Sequence, residues 1–129
     1  ELLFAMVKDP DGRPAYLMDK VDQGRKKVTV RWVGGWCRAI KVGHRFLASG
    51  DVEKGRKKRR IITVTRVSGP HTLLQIYSSP YLRAQVLTGE DLPDSDESWQ
   101  LLVSWLAGWR KNAAVHGLAD FYVWWFDIE

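Results

Sequence analysis

The run Phe121-Tyr-Val-Trp-Trp-Phe-Asp-Ile128 constrains the fold of this chain more than any other stretch. It is apolar on nearly every residue, so a strand built from it belongs at the centre of a sheet, covered on both faces. Trp124 and Trp125 are adjacent and therefore point to opposite faces, so at most one of them lies fully inward. The segment before it reads as the best helix of the chain, Asp94 to Lys111. Asp94 or Ser95 can cap it, acids fill its first turn, and Arg110 and Lys111 close its end in accord with the helix dipole. Trp99, Leu102, Val103, Leu106 and Trp109 form its apolar stripe.

The rest of the chain supplies short strands. Leu2 to Val7 reads as a buried strand, followed by a turn at Asp9-Pro-Asp-Gly12. Pro14 to Gln23 has helical spacing, with Gly24 as its left-handed cap. Lys27 to Val33 alternates, with Val28, Val30 and Trp32 on one face and Lys27, Thr29 and Arg31 on the other. Gly34-Gly35 permits a tight reversal into a returning strand from Trp36 to Ile40. Arg45 to Ser49 and Ile61 to Val67 read as further strands. Gly50 to Arg60, with two glycines and a block of like charge, reads as a solvated, mobile loop. Leu73 to Leu87 is ambiguous because Pro80 interrupts any continuous helix. The order strand, helix, three or four strands, helices, strand predicts an α+β domain whose small curved sheet closes into a barrel.

Charge narrows the partners. Between Lys20 and Arg66 fifteen lysines and arginines face only Asp22, Asp51 and Glu53, whereas acids gather from Glu90 to Glu97. A basic half of this kind is the electrostatic footprint of a polyanion partner. Lys54, Arg56, Lys57, Lys58, Arg59 and Arg60 are the candidate phosphate contacts in the basic loop, joined by Lys26, Lys27, Arg31, Arg38, Lys41 and Arg45. Trp32 and Trp36, beside Gly34-Gly35, are the candidates for stacking on bases. RNA or a nucleotide is the first partner expected, with single-stranded DNA, a parent chain or a protein partner behind it.

Cys37 stands alone, so the chain has no internal disulfide, which fits an intracellular, reducing compartment. His44, His71 and His116 have no metal-ligand spacing with Cys37 or with each other, and neither metal nor cofactor is expected. No apolar run is long enough for a membrane helix. The 129 residues suit a single domain, and a start at Glu1 fits a piece excised from a longer chain.

One segment is more specific. Gln23-Gly-Arg-Lys-Lys-Val-Thr-Val-Arg31 resembles the Gly-Arg/Lys-Lys-Thr-Val-x-x-Arg signature of the ASCH family, which joins a helix to a strand. Ile40 to Phe46 resembles that family's hydrophobic-x-x-Gly-Asp turn, with His44 in place of Asp. Ile62 to Val67 and Phe121 to Glu129 resemble its following and terminal strands. The resemblance implies a PUA-like β-barrel of five or six strands with two or three flanking helices, and a basic cleft beside Gly24–Arg31 that takes RNA or a nucleotide. Some members of the family are amidohydrolases that remove an acyl group from the exocyclic nitrogen of cytidine derivatives with a Lys, a Thr three residues later and a Glu on a downstream helix. Lys26 and Thr29 match the first two. Leu87 or Thr88 stands where the Glu falls, and Glu90 takes that role if a short insertion shifts the register. A binding domain is therefore the first expectation, an acyl-cytidine amidohydrolase the second and a Trp-rich protein-interaction module the third. Chemically, a desolvated Lys can take a Thr hydroxyl proton, a carboxylate can orient the leaving amine, and Arg31 can grip a phosphate or a carbonyl oxygen.

Overall fold

The computed structural model describes residues 2–32, 40–109 and 121–129. Its elements run β1 (Leu2–Leu3), β2 (Met6–Lys8), β3 (Pro14–Tyr16), α1 (Leu17–Asp22), β4 (Val28–Trp32), β5 (Arg45–Glu53), β6 (Arg56–His71), α2 (Leu73–Ser78), α3 (Pro80–Gly89), α4 (Asp96–Trp109) and β7 (Phe121–Ile128). Five strands form one sheet in the order β1-β5-β6-β7-β4, and β2 and β3 pair as a separate small hairpin. All neighbours in the large sheet are antiparallel except β1 and β5. Register shifts interrupt the ladder at Asp51/Glu53, Val64/Arg66 and Ser68/His71, where extra residues sharpen the local twist. The sheet curls into a half-barrel, giving a small barrel-like α+β fold.

The apolar run of β7 occupies the expected central place, between β6 and β4. Phe121, Val123, Trp124 and Phe126 are buried, drawn from both faces of the strand, while Trp125 is half-buried. The buried residues of β7 join Val28, Val30, Ile62, Val86, Leu87, Trp99 and Leu102 in one core. At roughly 2–3 kcal/mol for each large apolar side chain fully buried, that core supplies most of the driving force for folding.

Several elements depart from the sequence pattern. The basic stretch is not a loop: β5 and β6 continue through it and reverse at Lys54-Gly55, with Gly55 at φ +75°. Pairing of Ser49 with Arg59 and Gly50 with Lys58 spreads the like charges along a ladder, and backbone bonding outweighs their repulsion. Pro14–Tyr16 is a strand, and the helix begins only at Leu17. Leu2 to Val7 divides into two short strands that serve different sheets. Pro80 begins a helix rather than breaking one, because Ser79 caps α3 and proline suits its first turn. The preceding α2 begins on a Thr72–Gln75 capping box. Helix α4 starts at Asp96, with the Ser95 hydroxyl accepting from the Ser98 N–H. Trp105, outside the expected stripe, is buried and donates from its indole nitrogen to the Lys8 carbonyl. Four helices flank the sheets among the described residues, more than the two or three expected. The strand expected over Trp36–Ile40 lies outside the described residues except for Ile40, which is irregular.

Gly50 fixes how the N-terminal segment meets the sheet. A Cβ there would stand 2.2 Å from the Phe4 carbonyl oxygen and 2.9 Å from Met18 Cβ. Only a bare glycine lets both the N-terminal segment and α1 lie against β5, and this brings Phe4 beneath the residues described next.

Candidate functional site

The end of α1 and the start of β4 set Lys26. Gly24, at φ +72°, turns the chain out of the helix, and the N–H groups of Arg25 and Lys26 both donate to the Lys20 carbonyl, at 2.9 and 3.1 Å. The next residue is stitched on both sides: Lys27 N–H donates to the Gly89 carbonyl at 2.7 Å, and Phe126 N–H donates to the Lys27 carbonyl at 3.0 Å. Side-chain alternation in β4 then separates Val28 and Val30 from Thr29 and Arg31.

The end of α3 brings the carboxylate. Gly89 packs so closely on β4 that an added Cβ would lie 2.7 Å from Val28 Cγ1. Glu90 N–H closes the helix on the Val86 and Leu87 carbonyls, and Asp91, at φ 61°, takes the left-handed turn that follows. An ion pair of 3.2 Å between Arg25 and Asp91 ties the two turns together. Between them the Lys26 ammonium donates to Glu90 Oε2 at 2.5 Å and to the Val28 carbonyl at 2.7 Å. Lys26 and Glu90 are each only 2 % exposed and Thr29 4 %.

Burying such a pair is costly unless the charges compensate each other, and it seldom adds net stability over apolar packing. Burial pushes the Lys26 ammonium below the ordinary lysine pKa. The Glu90 carboxylate opposes that fall, while the positive charges of Arg31 and Lys20 add to it. A lysine with a lowered pKa in a desolvated position is the kind of group that takes protons in catalysis.

Thr29 follows Val28, whose carbonyl Lys26 engages, on β4. Its hydroxyl oxygen accepts from Arg31 Nε at 2.9 Å, while Arg31 Nη2 donates to the Leu3 carbonyl, also at 2.9 Å. Arg31 Cζ stands 5.0 Å from the Phe4 ring centroid and Lys26 Nζ 5.7 Å, so two cations share one aromatic ring. Thr29 pairs across the ladder with Trp124, whose ring stacks on Phe46 at 6.1 Å with 2° between the planes. An aromatic wall therefore adjoins the polar cluster.

Lys26, Thr29, Arg31 and Glu90 thus meet in one place. The other expected contacts do not join them. Lys58 and Arg60 are engaged by Asp22 at 2.8 and 2.9 Å, and Arg45 by Glu129. Arg56 pairs with Glu53. Lys27, Lys41, Lys54, Lys57 and Arg59 are exposed. Trp32 ends β4, and Trp36 and Arg38 fall outside the described residues. Phe4 and the Leu3 carbonyl are the parts of the site that the sequence did not reveal, since their run reads simply as an apolar strand. Among the described residues no three His, Cys, Asp or Glu side chains gather as a metal site, and no helix is long and apolar enough to cross a membrane.

No protein-family model matches the chain, and no curated protein matches it in sequence. Among solved structures it is similar to protein EF3133 of Enterococcus faecalis V583, a DUF984 protein, with a TM-score of 0.59 at 14% identity. That similarity covers 100% of this chain and 76% of the other, and at this identity it speaks to the fold.

Proposed function

We propose that this chain is an ASCH-like domain with a PUA-like barrel, and that it hydrolyses the amide of an acylated cytidine. The observation that carries this reading is the buried Lys26–Glu90 pair, joined through the shared Phe4 ring to the Arg31 that engages the Thr29 hydroxyl. The carboxylate that the motif left displaced is in contact with the motif lysine, and this moves the enzymatic reading ahead of simple binding.

In the reaction, Lys26 in its neutral form takes the Thr29 hydroxyl proton, and the oxygen adds to the acyl carbon. The bond from that carbon to the exocyclic nitrogen breaks, and the nitrogen leaves as the cytidine amino group with the proton returned by Lys26. Water then cleaves the Thr29 ester and releases the carboxylic acid. Glu90 holds the Lys26 side chain and orients the leaving amine. Phe46, half-buried and backed by the buried Trp124, offers a planar base an apolar edge.

Incubation with N4-acetylcytidine, with cytidine release followed chromatographically, tests the proposal. Turnover is expected, and it falls at least about a hundredfold in Thr29→Ala and Lys26→Ala. Turnover that survives Thr29→Ala refutes the assignment.

A second reading, RNA binding, has its own observation. Lys54, Lys57 and Arg59 on the β5–β6 hairpin are exposed and form no ion pair among the described residues, although Lys57 faces Asp51 across the ladder. Lys57 and Arg59 share one face of β6, opposite the face on which Asp22 neutralises Lys58 and Arg60. RNA affinity that falls steeply with salt, and less steeply in Lys57→Ala/Arg59→Ala, supports this second role. Salt-independent binding removes it.

A further inference from the structure

We propose that Arg31 is a positioning residue that prepares the Thr29 hydroxyl for reaction, and that the Leu3-Phe4 segment is the device holding it there. The inference rests on the reading of Thr29 as the reacting hydroxyl. Its basis is the direction of the hydrogen bonds. Arg31 Nε donates to Thr29 Oγ1 at 2.9 Å, so the threonine oxygen is an acceptor in this contact and its own proton is directed elsewhere. A donor from a guanidinium stabilises the oxygen as negative charge builds on it during proton loss.

The guanidinium is fixed in that role from two more sides. Its Nη2 donates to the Leu3 carbonyl at 2.9 Å, and its Cζ lies 5.0 Å from the Phe4 ring centroid. Phe4 is itself pinned, with its N–H donating to the Ser49 carbonyl at 2.9 Å and its ring against Phe126. A planar group held by a carbonyl and an aromatic ring keeps its Nε direction without help from a ligand. This differs from an arginine waiting to grip a substrate phosphate.

Arg31 also acts on the base. Lys26 is faced by Glu90 from the end of α3, by Arg31 from β4 and by Lys20 from α1, with the Arg25–Asp91 pair adjoining. Arg31 and Lys20 disfavour its charged form, and Glu90 favours it. One guanidinium therefore lowers the cost of the alkoxide and keeps more of the base neutral.

Two variants separate these effects. Arg31→Gln leaves an amide nitrogen near the place of Nε but removes the charge. Arg31→Met removes both. The assay is acylation by p-nitrophenyl acetate from pH 6 to 10, with the labelled residue found by mass spectrometry and folding checked by thermal melting. Wild-type protein is expected to acylate on Thr29 along a sigmoidal pH profile. Arg31→Met should react at least about tenfold more slowly. Arg31→Gln should retain most of the rate at high pH, with its profile midpoint displaced upward.

Equal rates in wild type and Arg31→Met, or no label on Thr29 in wild type, overturn the inference. So does an Arg31→Gln profile that keeps its midpoint. Should Arg31→Met fail to fold, the rate and midpoint of Arg31→Gln decide the matter alone. Acylation of Thr29 that depends on Arg31, without turnover of N4-acetylcytidine, sustains the inference while the substrate reading falls.

Discussion

Replacing Glu90 by Gln removes the charge that balances Lys26 while leaving the shape of the side chain nearly unchanged. Breaking a buried ion pair from one side costs about 3–5 kcal/mol, because the remaining charge stays desolvated. Lys26 has an escape, however, since it can give up its proton. The penalty of keeping it charged cannot exceed the free energy of deprotonating it, about 1.36 kcal/mol for each pH unit below an unfolded-state pKa of about 10.4. At pH 7 that ceiling is about 5 kcal/mol, so the full cost is felt; at pH 9 it is about 2 kcal/mol. These figures hold if the intact pair roughly breaks even with a neutral one, the usual result for buried pairs. Glu90→Gln should therefore be strongly destabilised at pH 7 and recover much of the loss by pH 9. Urea unfolding followed by tryptophan fluorescence at both pH values measures this, and Lys26→Met/Glu90→Leu should unfold no earlier than wild type. A Glu90→Gln deficit that is absent at pH 7, or equal at the two pH values, refutes the claim that a charged lysine is trapped there.

Other substitutions probe the elements that build the site. Gly89→Ala would gain helix propensity at an open position, but here its Cβ meets Val28 Cγ1 at 2.7 Å; a loss of about 1–3 kcal/mol is expected, and a stabilised variant in thermal melting would remove the close packing from the argument. Asp22→Asn frees Lys58 and Arg60 and should cost about 0.5–1 kcal/mol, discounted because both cations remain partly exposed. The hydrogen bond from Lys58 leads in holding the Asp22 carboxyl below its ordinary pKa, so its contribution is present at neutral pH and is lost as pH falls through that lowered value. Acid unfolding of wild type and Asp22→Asn should accordingly converge at low pH. Lys26→Ala should impair acyl-cytidine turnover far more than Arg25→Ala, since Arg25 is exposed and reaches Asp91 rather than the buried pair; equal losses in steady-state assays would argue against a site at Lys26.

The parts of the fold that were legible share a property: their signal is local. The unbroken apolar run of β7, the alternation of Val28 to Arg31 and the Gly24 turn each depend on a few neighbouring residues. The basic hairpin was misread for the opposite reason. Like charge and two glycines describe a solvated loop when each residue is considered alone, and only partners distant in sequence, such as Ser49 across the ladder for Arg59 and Asp22 at the end of α1 for Arg60, make a ladder stable there. Pro80 carried two local meanings, and the Ser79 cap selected the one that begins a helix.

The same division runs through the candidate site and explains its form. Lys26, Thr29 and Arg31 lie within six residues, so one turn and one strand can set their spacing, and a short motif suffices to reveal them. Glu90 reaches Lys26 across 64 positions of sequence, and Arg31 reaches Leu3 across 28, so local spacing sets neither contact, and Glu90 was nameable only through the family resemblance. What determines them is close approach between elements: Gly89 against Val28 for the carboxylate, and Gly50 beneath Phe4 for the N-terminal segment. At both places a missing side chain carries the information. In the sequence Gly50 reads as the start of a solvated loop and Gly89 lies past the ambiguous stretch, yet each removes the one atom that would keep a polar partner out of the site.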